Sequence, residues 1–286
     1  LRVSAAPLDV TSWLRERLFD KCNVICTSAT LATIGAGNSS NTSESKKANF
    51  AYFRRRVGLD TYPEVLETVL PLTFDYESNA LLYTPRHLPE PAYGDNKAAE
   101  NYALAIAREM YRLVNYSRGR AFLLFSSKRM LDKAYETMSP HLEFPLLRQG
   151  DMSRIELTRR FREEEGAVLF GLKSFWEGVD IAGEALSLVV IDKLPFEPPD
   201  DPVHEARVAQ MKAAGENWFG TYVLPQAVLR LKQGLGRLLR TRDDRGVMAI
   251  LDTRLHTKGY GKQVLNALPP ARRTSSIKDV EQFFAE

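Results

Sequence analysis

Ala121-Phe-Leu-Leu-Phe125 runs without a break into Ser126-Ser-Lys128, and the fold is read from that junction. An unbroken apolar run of this length suits a strand buried on both faces, as in a parallel sheet. The hydroxyl pair and lysine then mark the strand's carboxyl end and open a helix over 129–137. On the amino-terminal side, residues 97–114 have the periodicity of a long amphipathic helix, and Gly119 ends it. The same alternation recurs along the chain. Apolar strands are expected at 80–84, 146–148, 167–172, 186–191 and 247–251, with helices at 153–164, 202–214 and 221–239 between them. Strands alternating with helices predict an α/β fold, a mostly parallel sheet covered by helices on both faces. Ligands of such sheets sit at the strands' carboxyl ends. The polar clusters fall there: 27–30, 126–128, 149–151, 173–180 and Asp192-Lys193.

The flanks are less regular. Residues 7–18 read as an amphipathic linker helix with Asp9, Thr11 or Ser12 as caps. Asn23-Val-Ile-Cys-Thr27 reads as a short strand leading into Ser28-Ala-Thr-Leu31. Cys22 and Cys26 lie in that apolar stretch and read as buried thiols. Residues 35–47 are rich in Gly, Ser, Asn and Thr and read as a mobile surface loop. Phe50, Tyr52 and Phe53 precede Arg54-Arg-Arg56, a pattern that packs a core or stacks nucleic-acid bases. The domain limits are placed at 1–20 for the linker helix, 21–270 for the sheet domain and 271–286 for a tail ending in a helix.

Composition narrows the class. The chain has 286 residues, 44% hydrophobic and 26% charged, as globular proteins do. No apolar run approaches the ~20 residues of a membrane span. Two cysteines cannot supply a four-cysteine zinc or iron–sulfur site, and the four histidines are scattered. The net charge of +3 says little, but Arg230, Lys232, Arg237, Arg240, Arg242 and Arg245 cluster between 230 and 245.

That cluster holds Gln233-Gly-Leu-Gly-Arg-Leu-Leu-Arg240. On a helical wheel of ~100° per residue, Val228, Leu231, Leu235 and Leu238 fall on one side. Gln233, Arg237 and Arg240 fall on the other. Two guanidinium forks on an anchored helix suit a phosphate that gains charge during reaction. A solvated face of a core helix would look the same. Lys173-Ser-Phe-Trp-Glu-Gly-Val-Asp180 follows a buried strand directly and puts an aromatic pair and two carboxylates into one turn.

In this order the stretches resemble the second motor domain of superfamily-two helicases, specifically the XPD/DinG family and its bacterial DinG-like branch. Thr27-Ser-Ala-Thr-Leu31 is similar to motif III and Leu124-Phe-Ser-Ser127 to motif IV. Lys173 to Asp180 is similar to motif V and Gln233 to Arg240 to motif VI. Gln149-Gly-Asp151, Lys193-Leu-Pro-Phe-Glu-Pro-Pro199 and Leu251-Asp-Thr-Arg254 accompany them. The resemblance covers about 7–270 and implies a RecA-like fold.

It also implies roles. Arg237 and Arg240 would be arginine fingers on the ATP γ-phosphate, with Gln233 positioning them. Glu177, Gly178 and Asp180 would couple nucleotide to DNA. Ser126, Ser127, Lys173, Ser174, Trp176, Thr27, Ser28 and Thr30 would contact single-stranded DNA. The sequence contains no G-x-x-x-x-G-K-[ST] phosphate loop. ATP and Mg2+ are therefore expected to be bound mainly by an N-terminal half, the only place left for an iron–sulfur cluster. The implied partners are single-stranded or forked DNA and that N-terminal motor domain, with no membrane. The implied state is a monomer in the bacterial cytoplasm. A non-catalytic nucleic-acid- or protein-binding module derived from a motor domain is the alternative, which a damaged motif VI would favour.

Overall fold

Seven strands pair side by side, every pair parallel, in the computed structural model of this chain. The structure describes residues 5–28, 30–34, 48–70, 73–94, 96–172, 175, 185–197 and 201–286. The loop expected at 35–47 lies outside these residues. The chain divides into two compact units. A sheet unit comprises Leu72–Pro195 and Arg230–Glu286, and a helical unit comprises Leu1–Pro71 and Phe196–Leu229.

In the sheet unit, β1 (Ala80–Tyr83) leads to α1 (Lys97–Tyr116), β2 (Ala121–Leu124), α2 (Lys128–Met138), β3 (Leu146–Arg148), α3 (Arg154–Glu163), β4 (Val168–Gly171) and β5 (Leu188–Ile191). In chain order there follow α4 (Pro202–Ala213) of the helical unit and α5 (Leu224–Leu235), which begins in that unit and ends in the sheet unit. Then come β6 (Gly246–Ile250), α6 (Gly261–Ala267), β7 (Arg272–Thr274) and α7 (Ile277–Ala285). The strand order is β3-β4-β2-β5-β6-β1-β7.

Each strand presents alternate residues to opposite faces. Leu123, Phe125, Phe170, Val190 and Ala249 join one core with Tyr102, Ile106 and Met110 of α1, Leu131 of α2 and Phe283 of α7. Phe122 faces the other way and meets Phe161 of α3, ring centroids 4.6 Å apart. Helix starts follow local chemistry. The side chains of Asn96, Ser127 and Ser153 accept hydrogen bonds from the amides of Ala99, Met130 and Glu156, capping α1, α2 and α3. The turn from α1 into β2 is tight. Gly119 has φ +71°, and a Cβ there would lie 1.8 Å from the carbonyl oxygen of Gly166.

The tail differs from its sequence reading. Arg272–Thr274 forms the edge strand β7 against β1. An edge strand pairs on one side only, so its polar residues give no apolar signal.

In the helical unit two arginines of the 54–56 run make structural contacts. Arg54 donates to the carbonyl oxygens of Leu59 (3.2 Å) and Tyr62 (3.0 Å). The guanidinium groups of Arg56 and Arg207 each lie 5.5 Å from the centroid of the buried Tyr222 ring. The expected strand at 23–27 does not form. Residues 23–28 make no ladder, and among the described residues their amides donate no hydrogen bond. Cys22 and Cys26 are exposed, not buried. The apolar composition suits a strand, but among the described residues no strand pairs with the stretch. Ile25 is 93% exposed, and a second irregular stretch leaves Leu66, Val69 and Leu70 exposed in the same unit.

The Gly119 turn gives a direct test. Gly119→Ala should lower the unfolding free energy by about 2–5 kcal/mol, because the left-handed strain adds to a backbone clash. Gly150 has φ +112°, and a Cβ at that position would meet nothing within 4 Å. The same change there should cost only about 1–2 kcal/mol. Urea denaturation of both variants would read the difference.

Candidate nucleotide and nucleic-acid site

The strand carboxyl ends are laced by two buried carboxylates. Asp192, directly after β5, accepts hydrogen bonds from the Ser126 amide (3.0 Å), the Ser126 hydroxyl (2.9 Å) and the Lys193 amide (2.8 Å). Its backbone carbonyl accepts from the Tyr102 hydroxyl at 3.1 Å. Asp252, after β6, accepts from the Leu194 amide at 2.7 Å. It also holds the Arg254 guanidinium through Nη2 at 2.6 Å and Nε at 3.0 Å. Burial pushes the Asp192 carboxyl up to about 6, against the opposing pull of Lys193 and the Ser126 bonds. Burial likewise lowers Lys193. For Arg254, burial works against the charge, but the bond to Asp252 raises the group overall.

The two serines after β2 are already engaged. Ser126 gives its hydroxyl proton to Asp192. Ser127 accepts from the Met130 amide as the α2 cap and keeps its own proton to donate. At the end of β3, the Gln149 side chain accepts from the Leu172 amide at 2.6 Å. Arg148 pairs with Asp151 at 2.8 Å and lies over the Tyr135 ring.

The Gln233 to Arg240 segment departs from its expected form. Helix α5 ends at Leu235, four residues short of the expected 239. Gly236 still donates to the Lys232 carbonyl (2.8 Å), but Arg237 turns tighter, onto Gly234. Gln233 is therefore helical, whereas Arg237 and Arg240 sit in the turn that follows. The apolar side of the wheel holds: Val228, Leu231, Leu235 and Leu238 are buried. Gln233 and Arg237 are half-buried and Arg240 is exposed. The turn is fixed by Asp244, whose carboxylate accepts from the amides of Arg240 (2.7 Å) and Thr241 (2.8 Å) and from the Thr241 hydroxyl (2.7 Å). On the helix side, Arg230 donates to the Pro195 carbonyl at 3.1 Å, tying α5 to the segment after β5.

Thr27, Ser28 and Thr30 belong to the helical unit. There the Ser28 and Thr30 hydroxyls bond to each other at 3.2 Å. Lys173, Ser174, Trp176, Glu177, Gly178 and Asp180 lie outside the described residues. Sequence reasoning placed Gln149 and Asp192 in strand-end clusters and Asp252 in a family-like stretch but gave none of them a role, and it did not single out Asp244. All but Asp244 come within two residues of a strand's end, and that placement was the available signal.

The pH dependence of stability isolates Asp192. A carboxyl raised to about 6 in the fold, against ~3.9 unfolded, stabilises fully below the unfolded value. That contribution is lost as pH rises through the folded one. Native chain should therefore lose on the order of 3 kcal/mol relative to Asp192→Asn between about pH 4 and pH 7. Paired urea titrations at the two pH values would measure it, and a constant difference would contradict it.

Residues 110–271 match the helicase C-terminal domain family. The chain is 37% identical over 284 residues to ATP-dependent DNA helicase YoaA of Escherichia coli, covering 99% of this chain and 41% of that protein. It is 37% identical over 275 residues to ATP-dependent helicase DinG of Mycobacterium tuberculosis, covering 96% of this chain and 39% of that protein. The chain thus spans about two fifths of the length of these relatives. Among solved structures, an XPD helicase superposes with a TM-score of 0.54 at 18% identity, over 68% of this chain and 35% of that one. At that identity the likeness shows the fold.

Proposed function

This chain belongs to the helicase C-terminal domain family, and from that premise we propose that it is the second motor domain of an ATP-driven DNA helicase of the XPD/DinG type. The observation that carries the reading is that the family match contains both the laced strand ends and the 233–240 segment with its two arginines. The remainder of the parent protein would supply the phosphate loop. ATP would bind mainly there, with the chain closing on it from one side.

The chain's own residues divide the work. Arg237 and Arg240 offer guanidinium donors to the γ-phosphate, where stabilising developing charge is worth ~10³–10⁵ in rate. Gln233, on the last turn of α5, orients them. Asp244 fixes the backbone from which Arg240 projects. Glu177, Gly178 and Asp180 couple nucleotide state to the strand contacts. Ser127 donates its hydroxyl proton to a DNA phosphate, while Ser126, committed to Asp192, sets the backbone position. Lys173, Ser174, Trp176, Thr27, Ser28 and Thr30 extend the footing on the strand. Contacts of this kind are sequence-tolerant and weaken with salt.

The strand-end carboxylates do not fit a Mg2+ site. Asp192 is saturated by three hydrogen bonds and Asp252 by Arg254. In this reading Mg2+ and any iron–sulfur cluster would be held by the rest of the parent. The working unit would be a cytoplasmic monomer on single-stranded or forked DNA.

ATP hydrolysis by the full-length parent, with and without single-stranded DNA, tests this. Native protein should be stimulated by DNA. Arg237→Ala should lower kcat by at least ~10³-fold with nucleotide binding retained. The 286-residue chain alone should turn over negligibly. An intact rate in the variant would remove Arg237 from the catalytic machinery, and rapid turnover by the chain alone would overturn the two-half assignment.

A further inference from the structure

Tyr93 is 61% exposed, the one exposed Phe, Tyr or Trp among the described residues of the sheet unit. Burial does not account for its position, yet the ring is held from two sides. The Lys193 ammonium lies 4.6 Å from the ring centroid. Arg254 Nη1 donates to the Tyr93 hydroxyl at 3.3 Å. Both cations are anchored at their base. Arg254 is clamped by buried Asp252, and the Lys193 amide is bonded to buried Asp192.

The connector carrying the ring is fixed as well. Asn96 donates to the Tyr93 carbonyl at 3.2 Å. Arg129, from the first turn of α2, donates to the Gly94 carbonyl. Glu90, three residues earlier, is paired with Lys258 at 3.1 Å and accepts a hydrogen bond from the Thr257 hydroxyl at 2.8 Å. The result is a preorganised aromatic surface at the carboxyl edge of a parallel sheet, where ligands of such sheets sit. Lys193 lies over the ring and Arg254 at its hydroxyl, while Arg129 holds the adjoining Gly94 carbonyl. Every nucleobase has a π-face, and an exposed ring beside fixed cations is the combination that takes a base and its phosphates together.

We propose that Tyr93 is a base-stacking platform for single-stranded DNA, its exposed surface taking one base while Lys193 and Arg129 lie on the side of the neighbouring phosphates and Arg254, paired with Asp252, holds the ring in place. This contact rests on the proposed function, in which the chain binds single strands, and adds a residue that the proposed function does not include. A merely structural ring, there to prop Lys193, would have the same geometry, so the test separates the two.

Fluorescein-labelled oligothymidine is titrated with native chain, Tyr93→Ala, Tyr93→Phe and Tyr93→Trp at several salt concentrations. Stacking requires the alanine variant to bind about 5- to 100-fold more weakly. The slope of log affinity against log salt should not change, because no phosphate contact is lost. Phenylalanine and tryptophan should restore near-native affinity, with the tryptophan emission quenched on binding. Native affinity in the alanine variant would overturn the proposal. So would a loss that appears wholly as a shallower salt slope, which would mean that the ring only props Lys193. If native chain fails to bind the oligonucleotide at all, the proposed function fails together with this contact.

Discussion

Two carboxylates buried where strands end set the terms for this site. A charged carboxylate removed from water is tolerated only when its lone pairs are answered by donors. Asp192 and Asp252 are both fully buried, and their donors come from neighbouring strands' exits. Asp192 joins the end of β2 to the end of β5 through Ser126 and Lys193. Asp252 joins the end of β6 to the segment after β5 through Leu194 and gathers Arg254. Since β2, β5 and β6 are adjacent in the sheet, two side chains lock the edge of its central three strands. The loops leaving that edge start from fixed backbone.

Much of the sheet was legible in the sequence for a simple reason. Strands buried on both faces must be apolar throughout, and Ala121 to Phe125 or Leu188 to Ile191 admit few other readings. Sidedness also carried over, as the buried Leu231, Leu235 and Leu238 show. What was not legible depended on partners distant along the chain. Residues 23–27 have strand composition, but among the described residues they pair with no strand, and Cys26 is exposed. Arg272–Thr274 has no strand composition but meets the open side of β1. Helical periodicity continued past Leu235, but Asp244 captures the amides of Arg240 and Thr241 and favours a turn.

The same asymmetry governs the candidate site. Sequence order singled out Ser126, Ser127, Gln233, Arg237 and Arg240 as candidates, because motif spacing is a one-dimensional property. It did not reveal that Ser126 spends its proton inward, or that Arg240 depends on an acid four residues on. Which amides a carboxylate meets is decided by the packing of strands far apart in the chain: Ser126 and Asp192 are sixty-six positions apart.

The uncovered stretches of the helical unit bear on how the chain behaves in a tube. Around Ile25 and Leu66, backbone that belongs to no strand or helix carries large apolar side chains that face water. That pairing is a template on which a second molecule can add a strand. A net charge of only +3 gives little long-range repulsion to oppose it. Colloidal stability is thus governed locally by these few residues, and a lysine placed at Ile25 or Leu66 would do more for solubility than a general increase in surface charge.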